Sequence, residues 1–288
     1  MRIVILGGSG MLGHVLWKSL PWRFPDTFTT LHKGRKDYGR NRLFQGDRVI
    51  DHIDASDFKL LTGVLKGLRP DIVLNCIGVT KRKEDPQNPI PSILINALLP
   101  HRLAEWTRDR GARLIHFSTD CVFDGKDGNY GDESPPNATN LYGRTKALGE
   151  VRGKHILTLR SSFIGKELGE GTELLEWFLS QRTAIIGFKK AIYSGLTTLE
   201  LSRLIERLLA EFPHASGLYN VSSEPINKYD LLKLIGEKMH PKVTVDPDET
   251  FQCDRSLDST KFRNAFNYTP PAWTTMLEEL SRKVKEEL

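Results

Sequence analysis

The feature that most constrains the fold is the N-terminal segment. A short run of aliphatic residues, Arg2–Leu6, is followed at once by glycines at positions 7, 10 and 13 and by an amphipathic stretch over residues 11–20. Gly7 permits a tight turn, Gly10 lets the backbone approach a pyrophosphate, and Gly13 lets the helix close on the strand. The helix N-terminus adds free N–H groups and positive potential. The spacing therefore predicts a strand–turn–helix unit that binds a dinucleotide.

Further strand and helix patterns alternate along the first half of the chain. Asp71–Ile77 is a nearly continuous apolar run, typical of a strand buried on both faces of a parallel sheet, and a helical pattern follows over residues 93–110. These repeats predict an α/β fold: a Rossmann-type doubly wound parallel sheet with a smaller C-terminal α/β substrate lobe. We expect residues 1–160 to form the dinucleotide-binding domain with the catalytic residues. Residues 161–288 would form mainly the substrate lobe, with one or two elements returning to the sheet.

Composition excludes several classes of protein. The chain has 288 residues, with 41 Lys and Arg against 36 Asp and Glu, and a net charge of +5 is too dilute to indicate nucleic-acid binding. No stretch reaches the roughly 18 apolar residues of a membrane helix, and the N-terminal apolar run is too short for a signal peptide. Cys76, Cys121 and Cys253 are odd in number and lack metal-ligand spacing. We therefore expect a cytoplasmic protein with no metal site, no disulfide, and no membrane or nucleic-acid partner.

The residues after the second strand indicate which nicotinamide cofactor binds. An acidic residue there bonds the ribose 2′-hydroxyl of NAD, whereas a cation accommodates the 2′-phosphate of NADP. The segment Leu31–Lys36 contains no carboxylate. This favours NADPH, with Lys33 or Arg35 binding the 2′-phosphate, and NADH is the alternative cofactor. The segment could also be a basic surface loop that binds no cofactor. Asp54, after the third strand, could bond the adenine amino group or cap the next helix.

Two hydroxyl-bearing segments predict the catalytic centre. Tyr142 and Lys146 are four residues apart on a predicted helix, so they share one face. A phenol with a pKa near 10 is a poor acid–base catalyst at neutral pH, and a neighbouring ammonium lowers that pKa. Ser118 and Thr119 follow an apolar strand and so lie at the carboxyl edge of the sheet, where ligands bind in open α/β folds. Such a Tyr–Lys pair alone is common by chance, but with Thr119 it supplies two hydroxyl donors for one carbonyl oxygen.

The chain resembles the extended short-chain dehydrogenase/reductase superfamily, and within it the dTDP-4-dehydrorhamnose reductase family of nucleotide-sugar 4-ketoreductases. The resemblance rests on Gly7–Gly13, on Phe117–Gly125, and on Tyr142–Lys146. It is colinear from residue 1 to about residue 280. The string Ser-Thr-Asp…Val-Phe-Asp-Gly followed by Tyr-x-x-x-Lys is the most specific part.

The resemblance implies an NADPH-dependent reduction of the 4-keto group of a nucleotide-activated 6-deoxy-hexulose, in the biosynthesis of sugars for bacterial surface polysaccharides. Tyr142 would be the general acid, and Lys146 would lower its pKa and bind the nicotinamide ribose. Thr119 would bond the substrate carbonyl, and Asn96 would complete a proton relay. The remaining expected cofactor contacts are Gly7, Gly10, Met11, Leu12, Gly13, Ala55, Cys76, Ile77, Gly78, Ser118 and Ser162. The remaining expected substrate contacts are Thr80, Asp120, Cys121 and Phe163.

The chain also departs from the family pattern. Cys121 stands where relatives usually have Tyr, and Phe163 where Trp is common, so the sugar could differ from the rhamnose precursor. The basic loop around Lys81–Lys83 could attract a nucleotide diphosphate or be purely structural. Dehydratases usually carry an Asp-Glu pair beside the catalytic Thr, whereas here Thr119 is followed by Asp120 and Cys121. The missing Glu disfavours a 4,6-dehydratase. An NAD-retaining epimerase and a noncatalytic regulatory subunit, like that of methionine adenosyltransferase, are the alternatives. Family members are often homodimers.

Overall fold

The structure is a computed structural model that describes residues 1–38, 42–168, 171–240 and 242–286. Its strands are β1 (Ile3–Leu6), β2 (Thr27–Thr30), β3 (Val49–Ile50), β4 (Ile72–Asn75), β5 (Arg113–Ser118), β6 (Ile156–Arg160), β7 (Phe163–Ile164), β8 (Ile185–Tyr193), β9 (Leu196–Thr197), β10 (Gly217–Asn220), β11 (Ile226–Asn227) and β12 (Val245–Asp254). Its α-helices are α1 (Gly13–Arg23), α2 (Phe58–Leu68), α3 (Ile90–Ser92), α4 (Leu99–Arg108), α5 (Leu141–Leu148), α6 (Leu174–Leu179), α7 (Thr198–Glu211), α8 (Lys228–Met239), α9 (Thr260–Phe266) and α10 (Trp273–Glu286).

Seven strands form the central sheet, in the order β10-β6-β5-β4-β1-β2-β3. Every neighbouring pair in it is parallel. The order runs outwards from β1 in one direction and from β4 in the other, so the crossover connections place helices on both faces. The predicted α/β fold with a doubly wound parallel sheet is confirmed. Because β10 pairs with β6, the sheet also takes a strand from beyond residue 160; the division of the chain at that residue stays a prediction.

Both faces of the sheet are buried, which explains why its strands are nearly continuous apolar runs. In β1, Ile3 and Ile5 pack into a core with α1, α7 and α10. Val4 and Leu6 alternate with them and pack into a second core with α2 and α4. All four side chains are fully buried. Burying an aliphatic side chain of this size stabilises the fold by about 1.5–3 kcal/mol.

The C-terminal elements form two small sheets next to the central one. β8 lies between β11, its antiparallel neighbour, and β12, its parallel neighbour, and β7 pairs with β9. β12 is ten residues long. β3 ends at Ile50, and two residues further on His52 adopts a positive φ of 59°, which extended backbone does not allow.

No helix within the described ranges has both the length and the apolar character to cross a bilayer.

Candidate active site

The glycine loop has the tight geometry that its spacing predicts. Gly7 has a φ of +82°, a conformation that favours glycine, and its carbonyl accepts a hydrogen bond from the Gly10 N–H at 3.0 Å. A Cβ on Gly13 would lie 2.1 Å from that same carbonyl oxygen. Leu12, the N-cap of α1, has no side-chain hydrogen bond to the first turn. The helix therefore presents an uncapped N-terminus, which is the arrangement that binds phosphate groups.

A cleft of about 1220 Å³ runs along the carboxyl edge of the central sheet, where open α/β folds bind their ligands. Its lining includes the glycine loop and the start of α5. Eighteen of the residues singled out in the sequence line it: Gly7, Gly10, Met11, Leu12, Lys33, Asp54, Ala55, Cys76, Ile77, Gly78, Thr80, Ser118, Thr119, Cys121, Tyr142, Lys146, Ser162 and Phe163.

Four of the singled-out residues do not line the cleft: Gly13, Arg35, Asn96 and Asp120. Gly13 is packed inside the turn. The Arg35 guanidinium donates to the backbone carbonyls of Gly46 (2.9 Å) and Val49 (2.5 Å). Its other neighbour is the Asp51 carboxylate, at 3.5 Å. Arg35 therefore fastens its own loop, and Lys33 is the one of the two candidate cations that reaches the cleft.

Tyr142 and Thr119 meet at the far end of the cleft. Asn140 caps α5 by accepting a hydrogen bond from the Gly143 N–H at 2.8 Å, which fixes Tyr142 in the first turn. A Cβ on Gly143 would lie 2.2 Å from the Cys121 carbonyl oxygen, so α5 packs directly on the segment that carries Thr119. Burial raises the pKa of Tyr142, and a hydrogen bond with Thr119 offsets part of that rise. The phenol is therefore neutral and can donate its proton.

The Thr119 hydroxyl is itself held in place by its neighbours. Its oxygen accepts from the Cys121 N–H at 3.1 Å, and it donates to a carboxylate oxygen of Asp120 at 3.1 Å. Asp120 does not line the cleft, and it orients the Thr119 hydroxyl; a contact between Asp120 and the substrate stays a prediction.

Lys146 differs from the expectation in what it contacts. Its ammonium donates to the backbone carbonyl of Phe117, in β5, at 2.6 Å. Burial lowers the pKa of Lys146 to about 8, and the nearby Glu150 carboxylate acts against this. Burial also dominates the pKa of Tyr142 and raises it in this structure, so the lowering of that pKa by Lys146 stays a prediction. The ammonium still lies in the cleft wall one helical turn from Tyr142.

Asn96 lies in a π-helical turn, Ile93–Leu98, between α3 and α4. Its side-chain carbonyl accepts from the Val79 N–H at 2.9 Å, and its amide donates to the Val79 carbonyl at 2.9 Å. The amide also donates to the Thr145 hydroxyl, at 3.4 Å. These contacts fix the cleft wall to α5. A proton relay through Asn96 stays a prediction.

A buried ion pair connects the elements that carry the catalytic residues. Arg160, at the end of β6, pairs with both carboxylate oxygens of Glu150 at 2.7 Å, and Ser118 donates to the same carboxylate at 2.7 Å. Arg160 also donates to the Asp132 carbonyl at 2.9 Å. The side chains of Arg160 and Glu150 are only 2% and 7% exposed, so this pair is shielded from solvent. No sequence pattern predicts this ion pair, because the partners approach only when β5, β6 and the end of α5 are assembled.

Sequence reasoning also missed cleft residues from the C-terminal part of the chain and from the loop after β2. Tyr193, at the end of β8, and Lys228, at the start of α8, line the cleft near Thr119. Asp37 lies at the mouth near Lys33, just beyond the segment scanned for a carboxylate. Asp37 could have been found by extending that scan by one residue. Tyr193 and Lys228 could not have been found from the sequence, since the pairing of β8 with β11 brings them together.

The glycine loop, the threonine after β5 and the Tyr-x-x-x-Lys helix share one cleft at the edge of a Rossmann-type sheet. That combination defines the extended short-chain dehydrogenase/reductase class. Within this class, the family described as RmlD substrate binding domain matches residues 1–185, and the chain belongs to that family. The resemblance drawn from the sequence is thereby confirmed.

Known proteins similar to this chain include a dTDP-4-dehydrorhamnose reductase and a subunit of methionine adenosyltransferase. The dTDP-4-dehydrorhamnose reductase of Aggregatibacter actinomycetemcomitans is 24% identical over 97% of this chain and 98% of its own length. Methionine adenosyltransferase 2 subunit beta of Xenopus tropicalis is 28% identical over 52% of this chain and 41% of its own length. Several curated relatives are thus matched over less than two thirds of their length.

Solved structures show the same fold. The structure of dTDP-4-dehydrorhamnose reductase from Bacillus anthracis in complex with NADP is similar with a TM-score of 0.80 and 23% identity. The similarity covers 98% of this chain and 99% of that chain.

Proposed function

We propose that this protein is an NADPH-dependent oxidoreductase that reduces the 4-keto group of a nucleotide-activated 6-deoxy-hexulose. The observation that carries the proposal is that Thr119 and Tyr142, joined by a hydrogen bond, share one cleft with the glycine loop. The relative matched over nearly its whole length, a dTDP-4-dehydrorhamnose reductase, supports the same reaction. The expected enzyme class and substrate class agree with that relative.

The residues of the cleft fit NADPH. The uncapped N-terminus of α1 and the close approach allowed by Gly10 suit the pyrophosphate. Lys33 at the mouth suits a 2′-phosphate, and Asp54 and Ala55 line the cleft where the adenine would bind. Cys76–Gly78, after β4, would line the nicotinamide side. The similar Bacillus anthracis structure is a complex with NADP.

The chain's own residues perform the proton chemistry. When bound, NADPH supplies the hydride that reduces the carbonyl carbon. Tyr142 delivers its proton to the carbonyl oxygen as that oxygen gains negative charge. Thr119 stabilises the same oxygen once its single hydroxyl proton turns from Asp120 to the substrate. Lys146, held by the Phe117 carbonyl in the cleft wall, offsets the negative charge left on Tyr142. Asn140 and Asp120 fix the positions of the two hydroxyl groups.

The test is consumption of NADPH with a panel of nucleotide-linked 4-keto-6-deoxy sugars. We expect the wild-type protein to oxidise NADPH only when a ketosugar is present. Tyr142→Phe should lower kcat by about 10²–10⁴-fold, because it removes the general acid. Calorimetry should show unchanged NADPH binding in the variant. Full activity of Tyr142→Phe would contradict the assignment.

A noncatalytic regulatory role is the second candidate, and the match to methionine adenosyltransferase 2 subunit beta favours it. A regulatory subunit would bind NADPH without oxidising it in the presence of any ketosugar in the panel, and it would co-elute with a partner enzyme. An epimerase would instead retain a tightly bound NAD through purification. A reductase must exchange its cofactor at every turnover, so ready exchange of NADP supports the main proposal.

Further features of the proposal concern location, substrate, assembly and the C-terminal part of the chain. We propose that the reaction takes place in the cytoplasm and that the substrate is a nucleotide-diphosphate sugar. We also propose a homodimer, with no nucleic-acid partner. The residues beyond 160 are proposed to close the substrate end of the cleft, since Phe163, Glu173, Tyr193 and Lys228 all line it.

A further inference from the structure

A second polar wall faces the catalytic end of the cleft. It consists of Tyr193 and Lys228, which line the same cleft as Thr119 and Tyr142. β11 pairs with β8 so that Ile226 lies opposite Tyr193, and Lys228 begins α8 directly after β11. Two elements distant in sequence therefore hold these two side chains against each other.

The Tyr193 hydroxyl is buried and lacks a partner. The residue is 7% exposed, and its hydroxyl has no hydrogen-bond partner among the described residues. Its ring packs against Trp273 at 5.6 Å, which fixes its position. Gly195 leaves room for it, since a Cβ there would lie 2.1 Å from the hydroxyl oxygen. Leaving a buried polar group unpaired costs free energy, so such a group on a cleft wall points to a ligand.

The Lys228 ammonium contacts the face of the Tyr193 ring but has no hydrogen-bond acceptor among the described residues. It lies 4.2 Å from the centroid of the Tyr193 ring. In the part of the chain that the structure describes, it makes no hydrogen bond or ion pair. Burial lowers the pKa of Lys228, while the Asp120 carboxylate acts in the opposite direction. The wall thus presents two hydrogen-bond donors, a phenol and an ammonium, with no acceptor supplied by the protein.

The wall lies near the segment that carries Thr119. Asp120 and Cys121, which directly follow Thr119, act electrostatically on both Tyr193 and Lys228. In a nucleotide-linked 4-ketohexose, the acceptors nearest to the carbonyl are the hydroxyl oxygens of the sugar ring. The diphosphate is further away along the molecule.

We propose that Tyr193 and Lys228 are specificity-determining residues that bind ring hydroxyl oxygens of the substrate sugar. This inference rests on the proposed function. Thr119 and Tyr142 would hold the carbonyl oxygen while Tyr193 and Lys228 hold the ring from the other side. Two points of attachment fix which face of the sugar is reduced.

The experiment compares nucleotide sugars with their sugar-free nucleotides by calorimetry, in protein saturated with NADP⁺. The probes are dTDP-glucose with dTDP, and UDP-glucose with UDP. We expect Tyr193→Phe and Lys228→Met to weaken binding of the preferred nucleotide sugar by about 10-fold or more, because each removes a buried donor. Binding of the matching nucleotide diphosphate should stay unchanged, because it lacks the sugar.

Matched controls lie on the same helix. Lys233 is 5.4 Å from the ring centroid of Tyr229, and neither residue lines the cleft. Lys233→Met and Tyr229→Phe should leave both affinities unchanged. Tyr193→Phe should keep or raise the melting temperature, since it removes an unpaired hydroxyl.

Variants at positions 193 and 228 that bind the nucleotide sugar as tightly as the wild type would overturn the inference. A wild-type protein that binds neither nucleotide sugar more tightly than its nucleotide diphosphate would also overturn it. Weakened sugar binding in the variants without turnover of any ketosugar would support the inference and contradict only the proposed reaction.

Discussion

At the scale of single residues, burial controls the charge states in the cleft. It keeps the Tyr142 phenol protonated, and it lowers the pKa of Lys146 to about 8. The proton donor is therefore retained as pH rises, and the supporting cation is the group that is lost. The two residues differ in this way although they lie on one face of the same helix.

The pH dependence of kcat/KM for NADPH, which reports the free enzyme, tests this ordering. The Lys146 ammonium deprotonates as pH rises through about 8, so we expect kcat/KM to fall above that pH. In Lys146→Arg, the remaining activity should lose this fall, because a guanidinium stays charged throughout the range. A wild-type profile that is flat to pH 10, or a fall unchanged in Lys146→Arg, would contradict the role given to Lys146.

Cofactor preference is a second residue-scale property, and it depends on Lys33. We expect Lys33→Ala to raise KM for NADPH by about 10-fold with little effect on KM for NADH, because only NADPH carries the 2′-phosphate. Lys36 is exposed but does not line the cleft, so Lys36→Ala is the matched control. Steady-state kinetics with both cofactors provide the measurement.

The neighbouring Asp37 carboxylate provides a second test of cofactor preference. If Asp37 binds the ribose hydroxyls, Asp37→Asn should impair NADH more than NADPH. An equal rise in KM for NADPH and for NADH in Lys33→Ala would show that Lys33 does not bind the 2′-phosphate.

At the scale of elements, the Arg160–Glu150 pair joins β5, β6 and the end of α5. Removing one partner of a buried ion pair leaves the other charge uncompensated, which costs about 3–5 kcal/mol. We expect Glu150→Gln to lower the free energy of unfolding by about that amount, measured by urea denaturation.

The matched control is Glu133→Gln. The Glu133 side chain is 74% exposed, and its ion pairs with Arg152 and Lys261 lie at the surface. Surface pairs contribute little, so this variant should unfold like the wild type. Equal stability of Glu150→Gln and the wild type would mean that the buried pair does not hold these elements together.

At the scale of the whole molecule, the sequence was most informative where a backbone conformation or a buried strand requires one type of residue. The glycine spacing predicted the turn at Gly7, and the apolar run before Ser118 predicted β5 and the catalytic edge. The sequence could not show whether Lys33 or Arg35 reaches the cleft. The direction of the Arg35 side chain depends on the carbonyl acceptors of Gly46 and Val49.

The C-terminal part of the cleft was beyond sequence reasoning for a related reason. Tyr193 and Lys228 are 35 positions apart, and neither has a motif. Their proximity depends on a short antiparallel pairing between β8 and the two-residue β11. Pairings of that length leave no periodic pattern to detect.

The central claim is that Thr119 and Tyr142 act on the same oxygen. A double-mutant cycle on kcat/KM for the ketosugar, with Thr119→Val, Tyr142→Phe and the double variant, tests it most directly, and Thr119→Ser serves as the conservative control. Groups that act on one atom are strongly non-additive. We predict that the double variant loses scarcely more activity than Tyr142→Phe alone and that Thr119→Ser keeps most of its activity. Additive losses in the double variant would contradict the claim.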